Sequence, residues 1–136
     1  MPLEKSRSYG FTRRNRVYVP EGLRVLYGPF EGHKKGSRWT VVDEYGCAQL
    51  EFLQDYNALN PDTVYIENFE IKPETRGKGC GRLLYLKVEH MARDIGARWI
   101  QLDSEDEATG FWYKLGFRRT SAVFYFEKVS MTKSIQ

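Results

Sequence analysis

Hydrophobic and polar positions divide the chain into several segments of period two and one long segment of period 3.6. "RWTVVDEYGCAQLEFL" (38–53) sets β-branched and aromatic residues on either side of a turn at Glu44–Gly46, which predicts a β-hairpin. Upstream, "RVYV" at 16–19 and "LRVLY" at 23–27 are short apolar runs that predict strands or extended arms. "DYNALNPD" at 55–62 is loop chemistry. Leu84, Val88, Met91 and Ile95 then recur at helical spacing, with Leu83 and Ala92 widening the stripe. This predicts an amphipathic helix of about four turns, capped by Gly96. "ARWIQLD" at 97–103 reads as a buried strand. Ser104 and Glu107 have the spacing of a capping box, opening a short helix with Ala108, Phe111, Trp112 and Leu115 inward and Gly116 at its end. "AVFYFEKV" at 122–129 predicts the closing strand, which leaves 130–136 as tail.

The segment "TVYIENFEI" at 63–71 changes phase. Val64 and Ile66 alternate in one phase, Phe69 and Ile71 in the other, and a strand of strict period two cannot bury both pairs on one face. One extra residue near Glu67–Asn68, a β-bulge, would bring both pairs to the core. The alternative is a strand buried on both faces without a bulge. The order strand, glycine loop, helix, strand is a βαβ unit with its two strands parallel. With the hairpin and a last strand added, the fold class is α/β or α+β: a single mixed central sheet with packed helices.

Composition narrows the class. The 136 residues are 41% apolar and 15% aromatic, enough for one domain with one core and unlike a disordered chain. Residues 16–129 are expected to form that domain, preceded by a flexible basic arm at 1–15. No apolar run approaches the length of a membrane span, and the first residues lack a secretory h-region. Cys47 and Cys80 do not make a disulfide framework, and His33 and His90 have no metal-ligand spacing, so the expectation is a cytoplasmic protein without a metal. The net charge of +3 is unevenly spread: 1–40 carry nine Lys/Arg against three acids, 41–75 one against eight. The basic arm is read as a solvated tail or as a contact for nucleic acid or an acidic partner.

The chemistry-bearing stretch is "PETRGKGCGRLL" at 73–84. Gly77, Gly79 and Gly81 allow positive φ and close backbone approach, successive amides form a nest, and the following helix adds partial positive charge. Arg76, Lys78 and Arg82 add mobile cations, so an anion is the expected guest and a pyrophosphate fits. The spacing fails the G-x-x-x-x-G-K-[ST] phosphate loop and the G-x-G-x-x-G dinucleotide fingerprint alike.

Arg76-x-x-Gly79-x-Gly81 does match [QR]-x-x-G-x-[GA], and with its flanks it resembles the GNAT superfamily of acyl-CoA-dependent N-acyltransferases. "IENFEIKPETRGKGCG" looks like that family's bulged strand and pyrophosphate loop, and "ATGFWYKLGF" at 108–117 like its late motif. The resemblance covers about 63–118, and the family's two early helices have no obvious counterpart. It implies an N-acetyltransferase that moves an acetyl group from acetyl-CoA to a primary amine, the acceptor a protein, peptide or small molecule. Alternatives are a CoA-binding interaction module without activity and an RNA-linked acetyltransferase using its basic arm. The CoA pyrophosphate would rest on amides around Gly77, Gly79, Cys80 and Gly81, with Arg76, Lys78 and Arg82 nearby. Main-chain groups of Phe69 and Ile71 would pair with the pantetheine arm. An amine near pKa 10.4 must lose a proton to attack, a cost of about 4.6 kcal/mol at pH 7, and Glu67 stands where many members carry the base. Glu70, by alternation, faces elsewhere. Trp112 occupies the family's usual tyrosine position, so the departing thiolate's proton would come from Tyr113, Tyr125 or solvent.

Overall fold

The computed structural model of the chain describes residues 7–9, 17–27 and 34–136. β1 (Arg7–Tyr9) and β2 (Val17–Val19) pair as a small antiparallel ribbon. The other strands are β3 (Arg24–Tyr27), β4 (Arg38–Val42), β5 (Gly46–Phe52), β6 (Thr63–Ile71), β7 (Trp99–Glu105), β8 (Arg118–Arg119) and β9 (Lys128–Ser134). They form one seven-stranded sheet in the order β3-β4-β5-β6-β7-β9-β8. Neighbours are antiparallel except β6 and β7, which run parallel and are joined by helix α1 (Cys80–Asp94). A short helix, α2 (Thr109–Lys114), follows β7. The class is α+β with a single mixed sheet, as expected.

The phase change in β6 is a bulge. Gln49 of β5 faces Asn68, and the next residue, Leu50, faces Ile66, so Glu67 is the extra residue. Val64 and Ile66 are buried, and Phe69 and Ile71, beyond the bulge, pack against the same core. The stripe of α1 is also as expected at Leu84, Val88, Met91 and Ala92, but Leu83 is 44% exposed. The stripe widens on the opposite flank instead, at Tyr85, which is buried and whose hydroxyl donates to Glu89 at 2.7 Å. At the helix end Gly96 adopts φ 98°, its amide reaches the Arg93 carbonyl and that of Ala97 reaches Ala92, closing a Schellman motif.

Two expectations need correction. Ser104 caps no helix: it lies in β7, its Oγ donating to the Glu105 carbonyl, and a 3-10 turn (Asp106–Ala108) precedes α2. The β7–β9 ladder runs on to Glu105 opposite Lys128, and this pairing holds Ser104 extended. The closing strand is Lys128–Ser134, not 122–129, and residues 130–136 are no tail: Met131 and Ile135 are buried in the core. Val123, Phe124, Tyr125 and Phe126 have strand-like composition but are exposed, whereas Val129, Met131 and Lys133 alternate onto the face that meets α1. Of the expected basic arm, Arg7–Tyr9 is paired in β1, and the rest lies outside the described residues.

α1 is fixed to the sheet by buried polar contacts as well as by its apolar stripe. Asp43, buried in the β4–β5 turn, accepts the amides of Tyr45 and Gly46 and takes Lys87 of α1 at 2.8 Å. Glu89, 5% exposed, accepts Tyr85, Lys133 of β9 and Arg93. Burial pushes the Glu89 carboxyl up, but the hydrogen bonds from Lys133 and Tyr85 and the charges of Lys133 and Arg93 outweigh it and hold it below 4.5. Its contribution to stability is therefore full above that ordinary value and is lost as pH falls through the depressed one. Glu89→Ala should cost about 3 kcal/mol in urea unfolding at pH 7, since it strands Lys133 and the Tyr85 hydroxyl. Glu89→Gln should remove the Glu89 share of the acid-induced loss below pH 4.5.

Candidate active site

The bulge opens the sheet. β6 and β7 pair from Thr63 opposite Trp99 to Ile66 opposite Leu102 and then part. β6 continues along β5 to Ile71, while β7 continues along β9 to Glu105. The wedge between them is a cleft of about 170 Å³ bounded by Glu67, Phe69, Asp103, Ser104 and Trp112. The Lys72 amide donates to the Tyr45 carbonyl, and bonds to one neighbour recur at every second residue. By that alternation the main-chain groups of Phe69 and Ile71 point away from β5, towards the wedge. The Ile71 carbonyl there accepts Arg76 Nε at 3.0 Å.

Next along the chain, Gly77 and Gly79 take φ values of 79° and 78°, conformations that cost other residues strain. The first helical bond of α1 runs from Leu83 to Gly79, and no side chain caps the helix. The amides of Cys80, Gly81 and Arg82 thus precede the helical ladder and have no partner within it. They border a cleft of about 490 Å³ with Ile71, Arg76, Phe111 and Lys114 in its walls. Arg76 and Arg82 are exposed in its walls, Lys78 is exposed but does not line it, and the Cys80 side chain is buried. The donor set suits a multiply charged anion, and the space accepts one.

A third cleft, of about 330 Å³, opens beside the wedge on the sheet face opposite α1. Its floor is Glu51, Tyr65, Gln101 and Asp103, with Arg38 and Tyr125 at the sides. Tyr65 donates to Asp103 Oδ2 at 2.7 Å, and burial together with that carboxylate pushes the Tyr65 hydroxyl well above its ordinary value. Gln101, buried, accepts the Leu59 amide. Of these residues only Tyr125 stands out in the sequence, as a possible proton donor. The available signal was alternation: polar Gln101 and Asp103 alternate with the buried Ile100 and Leu102, which marks a second, polar face.

Glu67 is exposed on the bulge and lines both the wedge and the third cleft. Phe69 borders the wedge, and Ile71, Arg76, Gly77, Gly79, Cys80, Gly81 and Arg82 surround the loop cleft. Glu70 turns aside to Asn68. Tyr113 stands apart, 41% exposed on α2 and lining none of these clefts. Trp112 faces the wedge instead, edge-on to Phe69 at 5.2 Å and packed on Tyr85 and Phe117. Among the described residues no cluster of His, Cys, Asp or Glu could hold a metal, and no helix is long and apolar enough to cross a membrane.

Residues 52–134 match the acetyltransferase (GNAT) domain family. The chain is 31% identical over 103 residues to mycothiol acetyltransferase of Thermobifida fusca (strain YX), covering 74% of this chain and 29% of that protein. It is 33% identical over 86 residues to aminoglycoside N(6')-acetyltransferase type 1 of Stenotrophomonas maltophilia, covering 60% and 56%. The chain therefore spans roughly a third to a half of these relatives' lengths. The fold is shared with PaiA N-acetyltransferase from Thermoplasma acidophilum in complex with coenzyme A: TM-score 0.57, 18% identity, 71% of this chain and 59% of that one.

Gly81 supports the loop through packing: a Cβ there would stand 3.0 Å from the Phe111 ring. Gly81→Val should cost about 2 kcal/mol in thermal unfolding. The smaller ring-free side chain of Phe111→Leu should recover part of that loss in the double variant.

Proposed function

The chain belongs to the GNAT acetyltransferase family, and on that premise we propose that it transfers the acetyl group of acetyl-CoA to a primary amine. The observation that carries the reading is the run of uncommitted amides at Cys80, Gly81 and Arg82, set behind two left-handed glycines and beside exposed Arg76 and Arg82. Those amides and side chains would hold the pyrophosphate of CoA. Phe69 and Ile71, whose main-chain groups face the wedge, would act as a substitute strand for the pantetheine arm. That arm would take the place β7 leaves vacant beside β6. Acetyl-CoA supplies an activated acyl group as its thioester.

Glu67, on the bulge between wedge and third cleft, is the proposed base that removes the amine's proton, directly or through a water. A dedicated acid for the other product is dispensable. A thiol ionises at about pH 8.5, so a thiolate leaves readily and takes its proton from solvent. This accounts for Trp112 where the family pattern has tyrosine: the indole seals the wedge and donates no proton to the reaction. The third cleft would receive the acceptor. It is open on the side away from α1, which fits an amine on a peptide or protein as well as on a small molecule. The catalytic unit extends through Ile135, whose side chain completes the core. Free Cys47 and Cys80 agree with a reducing compartment such as the cytoplasm.

Calorimetric titration with acetyl-CoA and CoA, followed by thiol release over a panel of amines, tests the reading. Arg76→Ala should weaken CoA binding about tenfold through the lost charge-assisted contact. Glu67→Gln should lower kcat about 100-fold at pH 7 and leave CoA affinity unchanged, the gap narrowing as pH approaches the pKa of the amine. Unchanged turnover of Glu67→Gln from pH 6 to 9 would remove Glu67 from the mechanism, and absence of any CoA binding would remove the reading itself.

A further inference from the structure

We propose that the acceptor carries a second positive charge, beside the amine that reacts, and that Asp103 anchors it in the cleft on the sheet face opposite α1. The inference rests on the acetyltransferase reading and supplies its acceptor class.

Three carboxylates line that cleft, and they are not equivalent. Glu51 is paired with Arg38 at 3.6 Å. Glu67 and Asp103 have no cationic side chain within 4.0 Å among the described residues. Lys128, the cation beside the wedge, is drawn to Glu105 at 3.5 Å. Asp103 is the more constrained of the two. Its Oδ2 accepts the Tyr65 hydroxyl at 2.7 Å, and its Oδ1 is shielded from solvent and has no hydrogen-bond donor. A carboxylate oxygen without a donor is rare in folded proteins, and it leaves Asp103 with acceptor capacity that its own chain does not fill. Tyr65 stays protonated, since burial and Asp103 oppose its ionisation, so it remains a donor to Asp103 and leaves the carboxylate an acceptor for the incoming group.

The walls suit a cation as well. Phe124, 50% exposed, joins Tyr65 at the cleft and offers an aromatic face to an ammonium, while the Tyr125 ring beside it already carries Lys128 Nζ at 6.0 Å. Glu67 and Asp103 sit on neighbouring strands that have begun to part, so their separation exceeds the ordinary strand spacing of about 4.8 Å. Two ammonium groups on roughly a four-carbon chain, or on one aminosugar, span such a gap. One meets Glu67 at the fork and gives up its proton; the other stays charged on Asp103.

A length-matched series isolates the remote charge: 1,4-diaminobutane, 4-amino-1-butanol and 4-aminobutanoate, each assayed with acetyl-CoA on the full chain and titrated calorimetrically into the CoA-loaded protein. The expected order of kcat/KM and of affinity is diamine, alcohol, acid, with about tenfold per step at low salt. Asp103→Asn should abolish that preference by raising KM for the diamine, with kcat changed less than threefold and CoA affinity intact. Tyr65→Phe should weaken the preference partly. Equal affinity for the three amines, or a preference that survives Asp103→Asn, would overturn the proposal. If no amine is acetylated, the transfer reading fails separately, and the calorimetric series still decides whether Asp103 selects a cation. A short lysine-bearing peptide and an aminosugar, run beside the diamine, show which carrier of the two charges fits best.

Discussion

Glu67 has no residue opposite it. That one unpaired position lets β6 meet two demands that a regular strand cannot reconcile. Along β5 it must keep pairing from Val64 to Ile71 so that Phe69 and Ile71 reach the same core as Val64 and Ile66. Along β7 it must let go after Ile66. The extra residue shifts the pleat by one and sharpens the local twist, so the strand can follow β5 while leaving β7. The wedge, the outward main-chain groups of Phe69 and Ile71, and the placing of a carboxylate at the fork are all consequences of that insertion.

The second requirement is that α1 stand still. On the proposed reading the first amides of this helix would receive an anion, so it must resist being drawn out of place, and its amino-terminal end has no capping side chain. Its anchors lie further along. Lys87 is held by Asp43, which also shapes the β4–β5 turn, and Glu89 gathers Lys133, Arg93 and Tyr85 into one buried contact with β9. Both ion pairs sit on the sheet side, where low solvent access strengthens them. The loop end is thereby free of internal bonding while the body of the helix is fixed.

What the residues disclosed in advance, and what they hid, follows from how local each cause is. The bulge was legible because a phase change in a run of nine residues is a purely local conflict with period two. The glycine loop was legible because positive φ and a missing Cβ leave few other residues possible. The failures involve partners distant in sequence. Ser104 looked like a helix cap until β9, some 25 residues on, claimed it for the sheet. "AVFYF" outranked "KVSMTKS" as a strand by propensity, yet burial is decided by which side chains alternate onto α1, and Met131 and Lys133 do. The third cleft was invisible for the same reason. Tyr65 and Asp103 lie 38 positions apart and become neighbours through the parallel pairing of β6 with β7.

The uneven charge of the chain acquires a spatial meaning in this arrangement. Arg76, Arg82 and Lys114 line the loop cleft, while Glu51, Glu67 and Asp103 line the third cleft. On the proposed reading an anionic donor and a cationic acceptor would be attracted to different clefts, and the thioester and amine would meet where β6 and β7 separate. On the proposed chemistry the same field also favours release. Acetylation turns an ammonium into a neutral amide, so the attraction between Glu67 and that nitrogen falls to the level of a dipole contact while the charge on Asp103 continues to act on the remote group. A doubly charged acceptor arrives held at two points and departs held at one. Exchange of product for fresh acceptor is then driven by the charge that the reaction itself removes.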